Sequence, residues 1–82
     1  MSIPDTRIIN QAIDLLDRGL DYRMSSSARA WAESGLSQLR NGDIEEGIDS
    51  LCNAAAICDE PLATHYLIQA RELLAPDRFA SA

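Results

Sequence analysis

The segment Ala30–Asp59 constrains the fold most, because it carries apolar residues at helical spacing on both sides of a turn. On each side they recur at intervals of three and four residues. Asn41-Gly42-Asp43 lies between the two stretches, and Asn and Gly tolerate the positive φ that ends a helix. The pair Asp43 and Glu46 predicts a capping box for the following helix. The segment therefore predicts a helical hairpin, with helices over about 28–40 and 44–57.

Two further helices are predicted on either side of this hairpin. An apolar face at helical spacing predicts a first helix over about 5–22, and Ser2-Ile3-Pro4-Asp5 resembles its capping box. A fourth helix begins near Pro61 and ends before Pro76, and we expect the tail 77–82 to fray. Val is absent, and short loops favour antiparallel neighbours. The prediction is a single all-α domain, a four-helix antiparallel array.

The charge and the apolar pattern argue against several classes of partner. The formal net charge is −6, and all seven cationic residues are Arg. A surface of this sign repels nucleic acid and anionic membranes, so we expect no direct nucleic-acid partner. No apolar run reaches the roughly 20 residues that a membrane span needs, and the first residues lack a signal-peptide pattern. These features predict a cytoplasmic protein with no membrane partner.

The residues that carry chemistry in enzymes do not form a recognisable set. His65 has no nearby Ser, Cys or paired acid and is expected at the surface or a groove edge. Cys52 and Cys58 are spaced too widely to form a disulfide within one helix, and two Cys with one His give no metal-ligand spacing. We expect both to be small buried free thiols. The sequence predicts no enzyme activity, no cofactor and no metal site.

Six positions within the hairpin look like one tetratricopeptide (TPR) unit, a helical repeat of about 34 residues. The matching residues are Trp31, Gly35, the Asn41-Gly42-Asp43 turn, Gly47, Leu51 and Ala54. Ser34, Gln38 and Asp59 depart from the usual residues. The resemblance implies one complete unit over about 28–59, with half-units over about 5–22 and 61–75. One unit is fewer than the about three that a free-standing stack needs, which favours a homodimer or partner-assisted stability.

The resemblance also implies a function, since proteins of this family bind partner segments in a groove lined by the first helix of each pair. The groove positions fall here on Arg29, Ala32, Leu36, Leu39, Arg40, Ala63, Tyr66, Ala70 and Leu73. The Lys/Asn clamp that grips a C-terminal carboxylate in some members is missing, because Ala32 and Leu36 occupy those positions. The family places Trp31 inside the repeat. An alternative for the groove residues is that they pack on neighbouring helices.

The predicted function is therefore a small protein–protein interaction module, a TPR-like adaptor that binds a partner in a shallow apolar groove and also self-associates. The acidic residues are interpreted mainly as a solvated face. They also support an alternative: an acidic inhibitor or immunity-type protein, bacterial or phage-encoded, that blocks a basic or nucleic-acid-binding surface of an enzyme. Salt separates the two functions, because charge mimicry is screened at about 0.5 M salt and apolar contact is not.

Overall fold

The computed structural model describes residues 4–79, and within that range the chain is all-α, as predicted. Its five helices are α1 (Thr6–Leu20), α2 (Ser26–Arg40), α3 (Ile44–Ile57), α4 (Pro61–Leu74) and the short α5 (Pro76–Phe79). The bounds of α3 agree with the prediction, and α4 lies where it was expected. The first four helices pack against one another as a four-helix array.

The helix ends differ from the predictions where a local cap decides them. Helix α2 begins two residues early because Ser25 caps it, and the Ser25 hydroxyl accepts from the Ala28 amide at 3.2 Å. Asp5 caps α1 in the same way, through the Ile8 amide at 2.9 Å. The other part of the predicted box at α1, Ser2-Ile3, lies outside the described residues.

The turn between α2 and α3 confirms the predicted helix stop and shows that the predicted capping box is wrong. Gly42 has a φ of 87°. The Gly42 amide donates to the Leu39 carbonyl at 3.2 Å, and the Asp43 amide donates to the Gln38 carbonyl at 2.8 Å. This pair of bonds is a Schellman motif. In a capping box the Asp43 amide would donate to the Glu46 side chain, but here it donates to the Gln38 carbonyl instead. The Asp43 side chain also accepts no cap hydrogen bond from α3.

The hairpin of α2 and α3 is held together by small residues that let the two helices approach closely. A Cβ added to Gly35 would lie 3.4 Å from the Ser50 Cβ, and one on Gly47 would lie 2.7 Å from a methyl carbon of Leu39. The Gln38 amide group and the Ser50 hydroxyl lie 2.6 Å apart across the same contact. This bond satisfies Ser50, which is almost fully buried. Gln38 therefore has a structural reason to be polar.

The second extensive contact joins α1 to α4, which are not consecutive in the chain. Gly19 permits it, because a Cβ there would lie 3.1 Å from the Tyr66 Cβ. Together with smaller contacts between α1 and α2 and between α3 and α4, it closes the four helices into a ring. Short loops predict contacts between successive helices only, so this one was not predicted. The largest fully buried side chains are Leu16, Ile48, Leu51 and Leu67.

Residues 76–79 form a helical turn that includes the first three residues, 77–79, of the predicted frayed tail. Pro76 suits the first position of a helix because it has no amide hydrogen to leave unpaired. The Arg78 amide donates to the Ala75 carbonyl at 3.1 Å. The Arg78 guanidinium also donates to both carboxylate oxygens of Glu45 on α3, at 3.1 and 3.2 Å. The Arg78–Glu45 ion pair joins α5 to the start of α3. Residues 80–82 of the predicted tail lie outside the described residues.

Candidate protein-binding surfaces

Four of the predicted groove residues belong to the core. Ala32 and Ala70 have no solvent-exposed surface, and Leu39 has 2 %. Ala63, at a further groove position, is likewise fully buried. Their side chains contact neighbouring helices and do not reach an accessible groove. For these residues the alternative of packing on neighbouring helices is the one observed, because closure of the ring covers the face on which they lie.

Arg29 has a structural contact that the sequence did not predict. Its guanidinium donates to the Leu20 carbonyl at 3.1 Å and to the Tyr22 carbonyl at 3.0 Å. Leu20 is the last residue of α1, whose final four carbonyl groups have no partner within the helix, and Tyr22 lies two residues beyond it. Arg29 therefore ties the start of α2 to the end of α1 and satisfies part of that requirement.

Arg40, Leu36 and Leu73 keep some accessible surface, but they are dispersed. Arg40 is exposed and lies 3.6 Å from a carboxylate oxygen of Asp17. Leu36 is half-buried against the core. Leu73 lines a shallow depression of about 400 Å³ between α1 and α4, together with Leu15. The predicted set therefore does not form one continuous groove.

Tyr66 is half-buried and stacks on Tyr22, with ring centroids 5.9 Å apart. The exposed His65 ring lies edge-on to Tyr66, so the predicted surface position of this histidine is confirmed. The pKa of Tyr22 is raised above its ordinary value, first by charge on Tyr66 and then by partial burial and a hydrogen bond to Tyr66. This aromatic pair connects the end of α1 to the first turns of α4.

Trp31 is 43 % exposed, so the prediction that it lies inside the repeat is wrong. Trp31 lies two helical turns before Gln38 on α2, and Ile57 lies two turns after Ser50 on α3. Gln38 and Ser50 meet across the antiparallel hairpin. Two turns farther from the interhelical turn, Trp31 on α2 and Ile57 on α3 therefore lie along the same edge of the hairpin. Ile57 is 45 % exposed. The hairpin thus ends in an edge that carries two large exposed apolar side chains.

A groove lies at the opposite end of the hairpin, and we call it the turn-end groove. It has a volume of about 490 Å³ and lies between the start of α3 and the end of α4. Its walls are mainly carbon. Ile48, Leu74 and Ala75 form a floor that is nearly closed to solvent, and the half-buried Ile44 lies beside them. Its lining residues are Pro4, Gly42, Asp43, Ile44, Glu45, Glu46, Ile48, Leu74, Ala75, Pro76, Asp77 and Arg78.

The rim of the turn-end groove is acidic. Asp43, Glu45, Glu46 and Asp77 supply four carboxylates against one guanidinium, that of Arg78, which is a formal excess of three negative charges. All five residues are exposed. The failed capping box contributes here, since Asp43 does not cap α3 and its carboxylate remains part of the rim. This site was not predicted because it joins the start of α3 to the end of α4, and two of its lining residues, Asp77 and Arg78, come from the segment expected to fray.

Both cysteines are free thiols, as predicted, although each is only partly buried. Within residues 4–79 no group of three or more His, Cys, Asp or Glu side chains is arranged to hold a metal ion. None of the helices in the described part of the chain combines the length and apolar character needed to cross a membrane.

Comparison with known proteins gives no relative from which a site can be transferred: no family model, curated protein or solved structure matches the chain.

Proposed function

We propose that this protein is a small protein-interaction module that binds a short segment of a partner in the turn-end groove. The observation that carries the proposal is the groove itself, an open depression of about 490 Å³ with an apolar floor and a polar rim. Binding sites are typically concave, mostly apolar and bordered by a few polar groups, with volumes of about 300–1,000 Å³.

The elements around the groove suit a preformed site. Its floor comes from α3 and α4, whose side chains Ile48 and Leu74 are packed in the core and fixed by their neighbours. The Schellman turn at Gly42 fixes the backbone on one side. A site on packed helices loses little conformational entropy when a ligand binds, which favours binding of a short segment.

A peptide-display selection tests the proposal. Random peptides are selected on the immobilised chain, and each selected peptide is titrated into labelled protein while backbone amide shifts are recorded. We expect the largest shifts at Gly42, Ile44 and Ala75, and small shifts at Trp31 and Ile57. Selected peptides that perturb the Trp31 edge instead, or a selection that yields no binder, would contradict the proposal.

The acidic inhibitor inferred from the sequence is a second candidate, and the excess of carboxylates at the rim favours it. The two functions differ in how binding responds to salt. Blocking of a basic surface by charge alone should be lost at about 0.5 M salt, because exposed charges are screened over a few ångströms. Segment binding on the apolar floor should keep a measurable affinity there. Self-association remains a prediction from the sequence.

A further inference from the structure

We infer that the segment bound in the turn-end groove is cationic and amphipathic, with an Arg or Lys that replaces Arg78 on Glu45 and an apolar side chain that contacts the floor. The inference rests on the proposed function and names the chemistry of its ligand. Two independent features of the groove point to it, its charge balance and the guanidinium that it already holds.

The excess of negative charge around the groove favours a positively charged ligand. Four carboxylates against one guanidinium surround the groove, so a positive group entering it meets attraction from several sides. The start of a helix ordinarily attracts anions. Here Glu45 and Glu46 occupy the first turn of α3, so their carboxylates already compensate the partial positive charge at the start of the helix. An anionic ligand would meet these charges at close range.

Arg78 shows that a guanidinium fits at the rim. One of its nitrogens donates to both oxygens of Glu45, at 3.1 and 3.2 Å, which is a charge-assisted contact between a guanidinium and a carboxylate. Arg78 lies on α5, a helix of four residues. Its side chain is 42 % exposed and that of Glu45 is 64 % exposed. Exposed pairs of this kind are weak, so an incoming cation can replace Arg78 at small cost.

The apolar floor of the groove favours a ligand that also carries an apolar side chain. A purely polar cation would interact with the rim and leave Ile44 and the carbon walls in contact with water. An apolar side chain that enters the groove removes that surface from water, which is favourable in proportion to its area. A segment with a cation next to an apolar residue satisfies both parts of the groove at once.

Three synthetic peptides of equal length test the ligand chemistry by titration calorimetry and amide shifts. The first carries Arg and Leu at helical spacing, the second has Glu in place of each Arg, and the third has Ser in place of each Leu. We expect the first to bind in the groove at least about tenfold more tightly than the other two. Equal binding of the Glu peptide in the groove would overturn the inference and leave the proposed function standing. Failure of these peptides and of every selected peptide to perturb the groove would overturn both.

Two variants test the exchange of cations. Glu45→Gln should weaken binding of the Arg/Leu peptide by about two- to fivefold, the range expected for an exposed ion pair, and Glu33→Gln on α2 is the control of equal charge change. Arg78→Ala should strengthen binding by a similar factor, because no internal cation has to be replaced. Arg23→Ala at the opposite end of the molecule controls for the change in net charge. If Arg78→Ala bound the Arg/Leu peptide more weakly than Arg23→Ala does, the inference that the ligand's cation replaces Arg78 would be overturned.

Discussion

Gly47 has the tightest environment among the helical glycines, and it provides a test at the scale of one residue. A Cβ there would lie 2.7 and 2.9 Å from two carbons of Leu39, which is 2 % exposed. We expect Gly47→Ala to lower the free energy of unfolding by up to about 2 kcal/mol, since overpacking costs about 1–3 kcal/mol and the helix-propensity gain offsets about 1 kcal/mol of that cost.

Gly35→Ala is the matched control for that substitution. Its added Cβ would lie 3.4 Å or more from its neighbours on α3, which is ordinary van der Waals contact. The propensity gain should therefore remain, and we expect this variant to be neutral or more stable by up to about 1 kcal/mol. Urea unfolding followed by circular dichroism measures both. Equal stability of the two variants would show that Leu39 moves aside freely.

Small residues at the hairpin contact were predictable from the sequence, whereas the exposure of Trp31 was not. Gly35 and Gly47 stand at helical spacing with apolar neighbours, which predicts a close approach between helices. Periodicity also places Trp31 at the margin of the apolar stripe. At such a margin only the neighbouring helices decide whether a side chain is covered. Here α1 packs along α4 and leaves the Trp31 edge of the hairpin without a helix over it.

At the scale of the elements, the junction between α1 and α2 depends on Arg29. Arg29→Met keeps an apolar stem but loses two hydrogen bonds from a charged donor to the Leu20 and Tyr22 carbonyls. We expect a loss of about 1–2 kcal/mol in the free energy of unfolding, below the full value for such bonds because the site is only half-buried. Both bonds come from one guanidinium nitrogen, so Arg29→Lys, whose ammonium group has three donors, should recover part of the loss.

Arg23→Met is the control for this junction, because Arg23 is exposed in the same connection between α1 and α2. Its stability should stay within about 0.5 kcal/mol of the original chain, as for most surface changes. Thermal and urea unfolding would detect the difference. If Arg29→Met kept its stability while partner binding disappeared, Arg29 would belong to a binding surface, as the sequence analysis predicted.

The turn between α2 and α3 shows how two correct local patterns can exclude each other. Asn41-Gly42 predicts a helix stop and Asp43 with Glu46 predicts a helix start, and each follows known preferences. Both motifs need the amide of Asp43, and the stop takes it through the bond to the Gln38 carbonyl. A sequence pattern does not show which of two motifs forms when both need the same amide donor.

For the whole molecule, the fold class and the succession of helices followed from periodicity, whereas the candidate site depends on contacts between distant parts of the chain. Arg78 and Glu45 are separated by 33 residues. The floor of the groove needs α4 to lie along α3, and the core position of Ala32 and Ala70 needs α1 to close the ring. Single-helix patterns contain no information on such pairings, so the predicted groove was placed on residues that the closed ring buries.

Closure of the ring by the Tyr22–Tyr66 stack leads to a pH dependence of stability. The pKa of Tyr22 is raised in the folded chain, mainly by Tyr66, so folding favours its neutral form. That stabilisation is fully present below the ordinary tyrosine pKa of about 10 and is lost as the pH rises through the folded value. Lys is absent, so no ammonium group of a lysine side chain titrates in the same range.

We therefore expect the thermal midpoint to fall as the pH rises above the ordinary tyrosine pKa of about 10, and to fall less for Tyr22→Phe, which keeps the stacked ring but has no proton to lose. Ultraviolet absorbance of tyrosinate in the folded and urea-unfolded chain measures the shift directly. An identical pH dependence for Tyr22→Phe and the original chain would show that the stack between α1 and α4 does not determine the alkaline loss of stability.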